Sequence, residues 1–303
     1  MLKKRELWKN RSYYMMILPA IIVFFLFSYL PMPGIIIAFK DYNFMDGIFG
    51  SPFIGLENFK FFFMSEYAWR TTFNTLWINA NNIFWGTFIA VMFAIMLNEM
   101  RNMHLKKLYQ NLMFIPYFLS VIILSRIVGM IFNNEIGIAN RLIEFLGGDP
   151  ISWTTEAKHW VKIIVGTNIW KGVGYGVIIY LSTIVGIDKG IYESSYLDGA
   201  NRLQMIRYIT LPLLVPVIII LTLLSIGRIF FGDFQTIYAI VGNNGALLET
   251  TDIIETYVFR AVKNSAEFSM AGAVGMYQSV VGFIVILGSN TLVKLYNKDY
   301  SLF

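Results

Sequence analysis

The sequence predicts an all-α membrane protein with six transmembrane helices. Of its 303 residues, 56% are hydrophobic and 14% are charged, whereas soluble domains carry about 25% charged residues. A soluble fold cannot bury so much apolar surface, because even a large core leaves most side chains close to water. Six stretches almost free of charge are each long enough for the roughly 20-residue helix that crosses a bilayer. These observations exclude an ordinary soluble enzyme and a disordered chain.

Charged residues bound each predicted span. The third span stays apolar past Arg126, and the fourth is interrupted only by Lys171. The six spans cover residues 13–39, 71–98, 108–132, 163–187, 208–231 and 268–293. The first is far longer than the 7–15-residue apolar segment of a signal peptide, and no small-residue cleavage site follows it, so we expect an uncleaved span. Because no repeat, low-complexity tract or linker is visible, residues 1–303 are predicted to form one domain.

The distribution of Lys and Arg predicts that both termini are cytoplasmic. Six spans place the termini on one side, and the segments on that side hold 13 basic residues against eight in the longer segments opposite. Cytoplasmic loops carry such a positive excess. These residues flank the spans and do not form the single basic patch of a nucleic-acid-binding protein. We therefore predict a multi-pass protein of the cell membrane that binds no nucleic acid.

The sequence lacks residues that would power transport or catalyse a reaction. No span centre carries Asp or Glu, which proton- or sodium-driven carriers use as relays, and no G-x-x-x-x-G-K-[ST] motif could hold a nucleotide triphosphate. There is no Cys, and His104 and His159 lie in different loops without partner ligands. We predict no catalytic residue, no metal site and no cofactor bound by this chain. A secondary transporter or channel that works without an ATPase is the alternative, followed by a membrane-embedded enzyme.

The connection between the fourth and fifth spans, residues 188–212, is the longest on the predicted cytoplasmic side. Side chains four residues apart, such as Tyr192 and Tyr196, favour helical faces on both sides of Gly199. Because glycine costs about 1 kcal/mol inside a helix, Gly199 is predicted to mark a bend between two short helices. Pro212 is expected to open the fifth span, where its ring is tolerated. The pattern fits either an amphipathic loop on the lipid headgroups or a protrusion that docks a cytoplasmic partner.

This connection resembles the coupling loop of binding-protein-dependent ABC importers. The family pattern is E-A-A, three residues, G, nine residues and I-x-L-P. The matching residues are Glu193, Ser194, Ser195, Asp198, Gly199, Ala200, Ile209, Leu211 and Pro212. Two serines replace the alanines and keep their small size, and Ile206 stands where the family often has Phe. The resemblance implies that Glu193 and Gly199 dock an ATPase subunit, while Asp198 and Ala200 shape the turn.

The resemblance extends over residues 13–303 and is closest to the carbohydrate branch of the family, including importers of the alginate type. The segments 29–41, 55–59, 252–260 and 273–282 carry it. It implies the type I ABC importer permease fold and the import of oligosaccharides, acidic or complex ones included. The implied partners are a second permease, two ATPase subunits that hold ATP and Mg²⁺, and an external solute-binding protein.

Candidate residues for substrate contact lie in the fourth span. Asn168, Lys171 and Tyr175 recur at i, i+3 and i+7 and therefore share one face, and sugars are bound by aromatic faces and by hydrogen bonds from amides and charged groups. The resemblance aligns Asn168, Gly172 and Tyr175 with sugar-site positions of a maltose-importing member. Lys171 replaces an apolar residue there, which suits an acidic or larger sugar. Its side chain could equally extend to the membrane surface as packing.

Further candidates come from the fifth and third spans. Arg228, Phe230 and Asp233 lie near the aligned wall of the pathway, although Arg228 and Asp233 could simply neutralise one another. Arg126 is expected either to line the pathway or to pair with a carbonyl or an acid. The amides of a polar cluster in the second span are expected to join helices by hydrogen bonds: Asn74, Asn79, Asn81 and Asn82.

Overall fold

The computed structural model describes residues 10–302, and this part of the chain is built from helices. The one isolated β-bridge in this range joins Lys40 and Phe53. The α-helices are, in order, Arg11–Phe24, Gly47–Gly50, Glu57–Met64, Glu66–Glu99, Met103–Phe114, Val121–Ile131, Ile138–Phe145, Trp160–Val185, Lys189–Leu197, Arg202–Met205, Leu211–Ile226, Phe234–Val241, Leu248–Thr251, Ile254–Ser265 and Phe268–Tyr296. The basic residues Lys3, Lys4, Arg5 and Lys9, which contribute to the predicted orientation, lie outside the described residues.

Five helical stretches of the described range are long and apolar enough to cross a membrane. They are Arg11–Phe39, Glu66–Glu99, Ala157–Val185, Arg202–Ile226 and Phe268–Leu295. A sixth span is present if the bent pair Met103–Phe118 and Val121–Ile131 is counted as one. The predicted all-α fold with six spans is therefore confirmed, with the third span broken.

The break in the third span falls inside the single helix predicted over 108–132. Its two halves meet at an angle of 101°. Pro116 lies in the 3₁₀ turn Ile115–Phe118, and proline has no N–H to continue the helical hydrogen bonds. The second half restarts after Ser120, whose hydroxyl accepts the N–H of Ile123 at 3.3 Å, as an N-cap residue does.

The described residues form two compact units. The first consists of the chain up to Met64 together with Ala261–Tyr277, and the second of Ser65–Arg260 with the chain from Gln278 onward. Within the first unit the Tyr42 N–H donates to the Ser269 hydroxyl at 2.8 Å. All residues predicted to act in coupling or transport lie in the second unit. The single domain over 1–303 stays a prediction.

The second and fourth spans pack along each other in the core of the second unit. Ala90 and Val177 are buried at this contact, and a Cβ on Gly176 would lie 3.0 Å from that of Ala90. A Cβ on Gly174 would lie 2.2 Å from the carbonyl oxygen of Met113. Only glycine therefore allows the first half of the third span to approach the fourth span this closely.

The fifth span is one continuous helix, Arg202–Ile226. The second short helix predicted after Gly199 is thus the beginning of the span itself. The span contains a π turn, Ile206–Thr210, just before Pro212. In a π turn each N–H bonds to the carbonyl five residues earlier instead of four, and proline has no N–H to donate. The helix therefore continues through Pro212 without a break.

Candidate functional site

A cavity of about 690 Å³ lies among the second, fourth and fifth spans of the second unit. Its volume is within the roughly 300–1,000 Å³ of small-molecule sites. Its wall is mostly apolar and carries a limited set of polar side chains: Asn82, Thr87, Tyr117, Asn168, Lys171, Tyr175, Tyr180, Ser225, Arg228 and Asp233. This composition, apolar with a few convergent polar groups, is typical of a binding site for an organic ligand.

The fourth span presents its predicted polar face to this cavity. Asn168, Lys171, Gly172 and Tyr175 all line the wall. The Tyr175 side chain is exposed, whereas Asn168 and Lys171 are half-buried. The spacing in the sequence therefore located one wall of the cavity correctly.

The break in the third span brings a second aromatic ring to the cavity. Tyr117 stacks on Tyr175 with ring centroids 5.5 Å apart and planes inclined by 14°. Sequence reasoning missed Tyr117, because it treated the third span as one straight helix. The adjacent Pro116 is the signal that could have found it, since a proline inside a helical pattern ends or kinks the helix. The two rings form an aromatic surface of the kind that packs against sugar rings.

Asn82 of the second span also faces the cavity. Its side-chain oxygen is buried and accepts no hydrogen bond from any described residue. An unsatisfied buried acceptor of this kind costs about 1–3 kcal/mol. The amides of Asn74 and Asn79 do join elements as expected, because each donates to a backbone carbonyl outside its own helix.

Two charged residues reach the cavity from the loop that follows the fifth span. The span was predicted over 208–231, but its helix ends at Ile226, where Gly227 forms the C-cap. Arg228 and Asp233 therefore lie on the following loop, and both line the cavity. The apolar run in the sequence continues past the helix end, which is why hydropathy alone extended the span.

The cavity holds two cations and one anion. Among residues 10–302 neither Lys171 nor Arg228 forms an ion pair, and Arg228 and Asp233 line the same cavity without a direct contact between their charged atoms. Asp233 instead accepts the N–H of Thr236 at 3.1 Å and caps the next helix. Two positive charges against one negative charge favour a ligand that carries anionic groups.

Two predicted pathway residues lie elsewhere. Phe230 is 5% exposed and does not line this cavity, because the helix that would have directed its ring toward the pathway ends at Ile226. Arg126 is exposed on the helix Val121–Ile131 and also lies outside the cavity wall. Because the two halves of the third span meet at 101°, the helix that carries Arg126 runs in a different direction from the straight 108–132 helix that was predicted.

The connection between the fourth and fifth spans begins with a short helix, Lys189–Leu197. Asp188 caps it by accepting the N–H of Gly190 at 2.9 Å. The hydroxyls of Ser194 and Ser195 fold back and donate to the carbonyl of Ile191 at 3.1 and 2.8 Å. The two serines thus keep the compact surface that alanines would give.

The helix ends in a turn that requires glycine. Gly199 has a φ of +85°, which side chains with a Cβ rarely adopt. Its N–H donates to the carbonyl of Tyr196 at 3.1 Å, and the N–H of Ala200 donates to that of Ser195 at 3.0 Å. This pair of bonds is a Schellman motif. The predicted bend at Gly199 is confirmed.

Apolar side chains surround this turn in an exposed position. Tyr196, Leu197 and Leu203 are 73%, 85% and 76% exposed, and we call these three residues the elbow surface. Glu193, Ser194, Asp198, Gly199 and Pro212 are exposed, while Ser195, Ala200, Ile209 and Leu211 are half-buried. Apolar side chains exposed beside polar ones make this turn a candidate interaction surface.

Comparison with known proteins agrees with these features. A family model described as the binding-protein-dependent transport system inner membrane component matches residues 83–298. The polygalacturonan/rhamnogalacturonan transport system permease protein YteP of Bacillus subtilis (strain 168) is 34% identical over 294 residues, which are 97% of this chain and 91% of that protein.

Two solved structures are similar in fold and sequence. One is a bacterial ABC transporter involved in the import of the acidic polysaccharide alginate, and the other is the alginate transporter in complex with an alginate pentasaccharide-bound periplasmic protein. For each, the TM-score is 0.88 and the identity 31%, over 97% of this chain and 98% of the other. The chain is therefore a multi-pass member of the binding-protein-dependent transport system inner membrane component family, the non-catalytic permease subunits of ABC transporters.

Proposed function

We propose that this chain is the permease subunit of an ABC importer that moves acidic oligosaccharides into the cytoplasm. The observation that carries the proposal is that Lys171 and Arg228 line the same cavity as the stacked rings of Tyr117 and Tyr175. Stacked rings bind the apolar faces of sugars, and unpaired cations bind carboxylates.

The similar proteins support this substrate class. The B. subtilis permease is named for polygalacturonan and rhamnogalacturonan, and the solved transporter imports the acidic polysaccharide alginate. An acidic sugar unit brings one carboxylate and several hydroxyls. The carboxylate would lie near Lys171 and Arg228, and the hydroxyls would meet the other polar side chains of the wall.

The elbow surface is proposed as the docking site for an ATPase subunit. The sequence contains no motif that could cradle nucleotide phosphates, so ATP and Mg²⁺ belong to that partner and hydrolysis takes place there. Glu193 and Gly199 contact the ATPase in this proposal, and Asp198, Ala200 and the two serines keep the turn compact. Ile209, Leu211 and Pro212 anchor the connection to the fifth span.

The remaining partners follow from the same proposal. The cavity is lined by one chain, and a second, homologous permease would close the pathway from its other side. An external solute-binding protein would deliver the oligosaccharide, and the alginate transporter, solved in complex with an alginate pentasaccharide-bound periplasmic protein, supports such a partner. Docking of a cytoplasmic ATPase places the elbow surface and both termini in the cytoplasm, in agreement with the distribution of Lys and Arg.

The continuous fifth span gives the mechanism a physical path. One end of Arg202–Ile226 adjoins the elbow surface, and the other carries Leu224 and Ser225 into the cavity wall. When ATP-driven closure of the ATPases draws the elbow surfaces of the two permeases together, the helix moves with its elbow end. The cavity then opens outward, and the binding protein releases sugar into it.

Uptake by the assembled transporter tests this function. K171M and R228Q should each lower uptake of a galacturonate trisaccharide about tenfold, because each removes a charge-assisted hydrogen bond, and should leave maltotriose uptake nearly unchanged. R126Q, which removes an exposed cation outside the cavity, is the matched control. Equal loss with both sugars would contradict an acidic substrate. Uptake that survives deletion of the ATPase would favour the alternative of a secondary transporter or channel.

A further inference from the structure

The loop that carries Arg228 and Asp233 contains no helix or strand of its own. It spans residues 227–233, between the fifth span and the helix Phe234–Val241. Backbone groups that lack a regular hydrogen-bonding pattern need partners from elsewhere in the fold. Three side chains supply such partners, and each comes from a different helix.

The second span supplies the first of them. The Asn79 side-chain amide donates to the carbonyl of Ile229 at 2.7 Å and to that of Phe231 at 3.2 Å. One amide thus fixes two carbonyls of the loop. Asn81, two residues further along the same helix, donates instead to the carbonyl of Trp77 in its own helix.

Gln278 and Glu255 supply the other two. The amide of Gln278, which is 4% exposed, donates to the carbonyl of Phe230 at 2.8 Å and to Oε1 of Glu255 at 3.0 Å. The same oxygen of Glu255 accepts the N–H of Gly232 at 2.8 Å. Each of residues 229–232 is thus held by a hydrogen bond between its backbone and one of these side chains.

Gly232 allows this close approach. A Cβ at this position would lie 2.5 Å from Cδ1 of Ile253 and 3.1 Å from Oε2 of Glu255. A larger residue here would have to displace the side chain of Ile253, which is fully buried, or that of Glu255, which accepts the N–H of Gly232.

We propose that Asn79, Gln278 and Glu255 form a latch that positions Arg228 and Asp233 in the cavity and thereby sets its selectivity for charged sugars. The role of the cavity in this inference rests on the proposed function. The hydrogen bonds that hold the loop do not depend on it. The three residues are positioning residues, because they contact the backbone of the loop and line no part of the cavity wall.

A spin label on the loop tests the latch without any transport. The chain has no Cys, so F231C gives a single labelling site on a side chain that is exposed. In the purified full-length chain, N79A and Q278L should make the nitroxide spectrum more mobile. E255Q, which keeps the accepting oxygen, should leave it unchanged, as should the control N81A. Spectra of N79A and Q278L that match the parent would overturn the latch.

Uptake kinetics of the assembled transporter test the consequence. Q278L and E255L should raise KM for a galacturonate trisaccharide about tenfold with the maximal rate within about twofold, since a displaced binding group weakens binding. E255Q, unlike E255L, should keep the KM of the parent. The double variant R228Q/Q278L should have the same KM as R228Q alone. If R228Q impairs uptake and Q278L does not, the latch is excluded while the proposed function stands. If neither does, the cavity is not the sugar pathway.

Discussion

The hydroxyls of Tyr192 and Thr210 lie 2.9 Å apart and are hydrogen-bonded. Tyr192 belongs to the short helix Lys189–Leu197, and Thr210, which is buried, belongs to the π turn of the fifth span. This bond joins the helix beside the elbow surface to the span that lines the cavity.

Loss of this bond should weaken coupling. We expect Y192F and T210V each to lower transport per ATP hydrolysed, because the bond contributes about 1 kcal/mol to holding the two helices together. The double variant should be no worse than either single one, since both remove the same bond. Uptake and hydrolysis measured in parallel in proteoliposomes give this ratio. Y208F, which alters an exposed tyrosine of the same turn, is the control, and an unchanged ratio in Y192F would contradict the prediction.

The turn at Gly199 should tolerate no proline. The φ of +85° is incompatible with the value near −65° that proline requires, and G199A should cost about 1–2 kcal/mol in the turn. We expect G199P and E193R to abolish transport-coupled ATP hydrolysis while the protein still inserts in the membrane. G190A, in the first turn of the same helix, should retain activity. Normal coupled hydrolysis in G199P and E193R would remove this turn from the mechanism.

Gly174 should be essential for packing of the broken third span. A methyl group there would meet the carbonyl oxygen of Met113 at 2.2 Å, and overpacking of this kind costs about 1–3 kcal/mol. G174A should therefore lower the midpoint of thermal unfolding of the purified chain. G172A is the matched control, because a Cβ there would meet no atom within 4 Å apart from its own stretch of helix backbone. Equal midpoints for the two variants would show that the helices can separate at little cost.

Glu255 should make stability depend on pH. It lies in Ile254–Ser265, outside the candidate spans, where burial raises the pKa of its carboxyl and hydrogen bonds from Gly232 and Gln278 offset this only in part. Because the pKa is higher in the folded state, the folded chain is favoured at low pH and loses this stabilisation as the pH rises through the folded value.

The variant E255Q removes this titration. Its unfolding midpoint should fall less than that of the parent chain as the pH is raised from mildly acidic to mildly alkaline. D198N alters an exposed carboxyl and should keep the pH dependence of the parent. A parallel fall in E255Q and the parent would show that another group is responsible.

Much of the fold and one wall of the cavity could be predicted from the sequence, because both depend on local patterns. Charge-free stretches mark the spans, and the spacing of Asn168, Lys171 and Tyr175 marks a helix face. The turn at Gly199 could also be predicted from local sequence, since a positive φ after a helix favours glycine. These features need no knowledge of distant residues.

The remaining features depend on where helices end and on contacts far apart in the chain. Phe230 was placed near the pathway by the family resemblance within a span predicted to continue to residue 231, and the apolar run hides the helix end at Ile226. Tyr117 was missed because its position follows from the break at Pro116. Asn79 and Gln278 lie about 200 residues apart in the chain, yet both donate hydrogen bonds to the same loop. Periodicity in the sequence does not predict such long-range contacts.

The unbroken helix Arg202–Ile226 can serve as a lever. At 1.5 Å per residue its 25 residues extend over about 37 Å. A tilt of about 10° around one end displaces the other by about 6 Å, slightly more than one helical turn. In the proposed mechanism, a modest swing of this helix driven from its elbow end would displace the cavity wall at Ser225 by several ångströms.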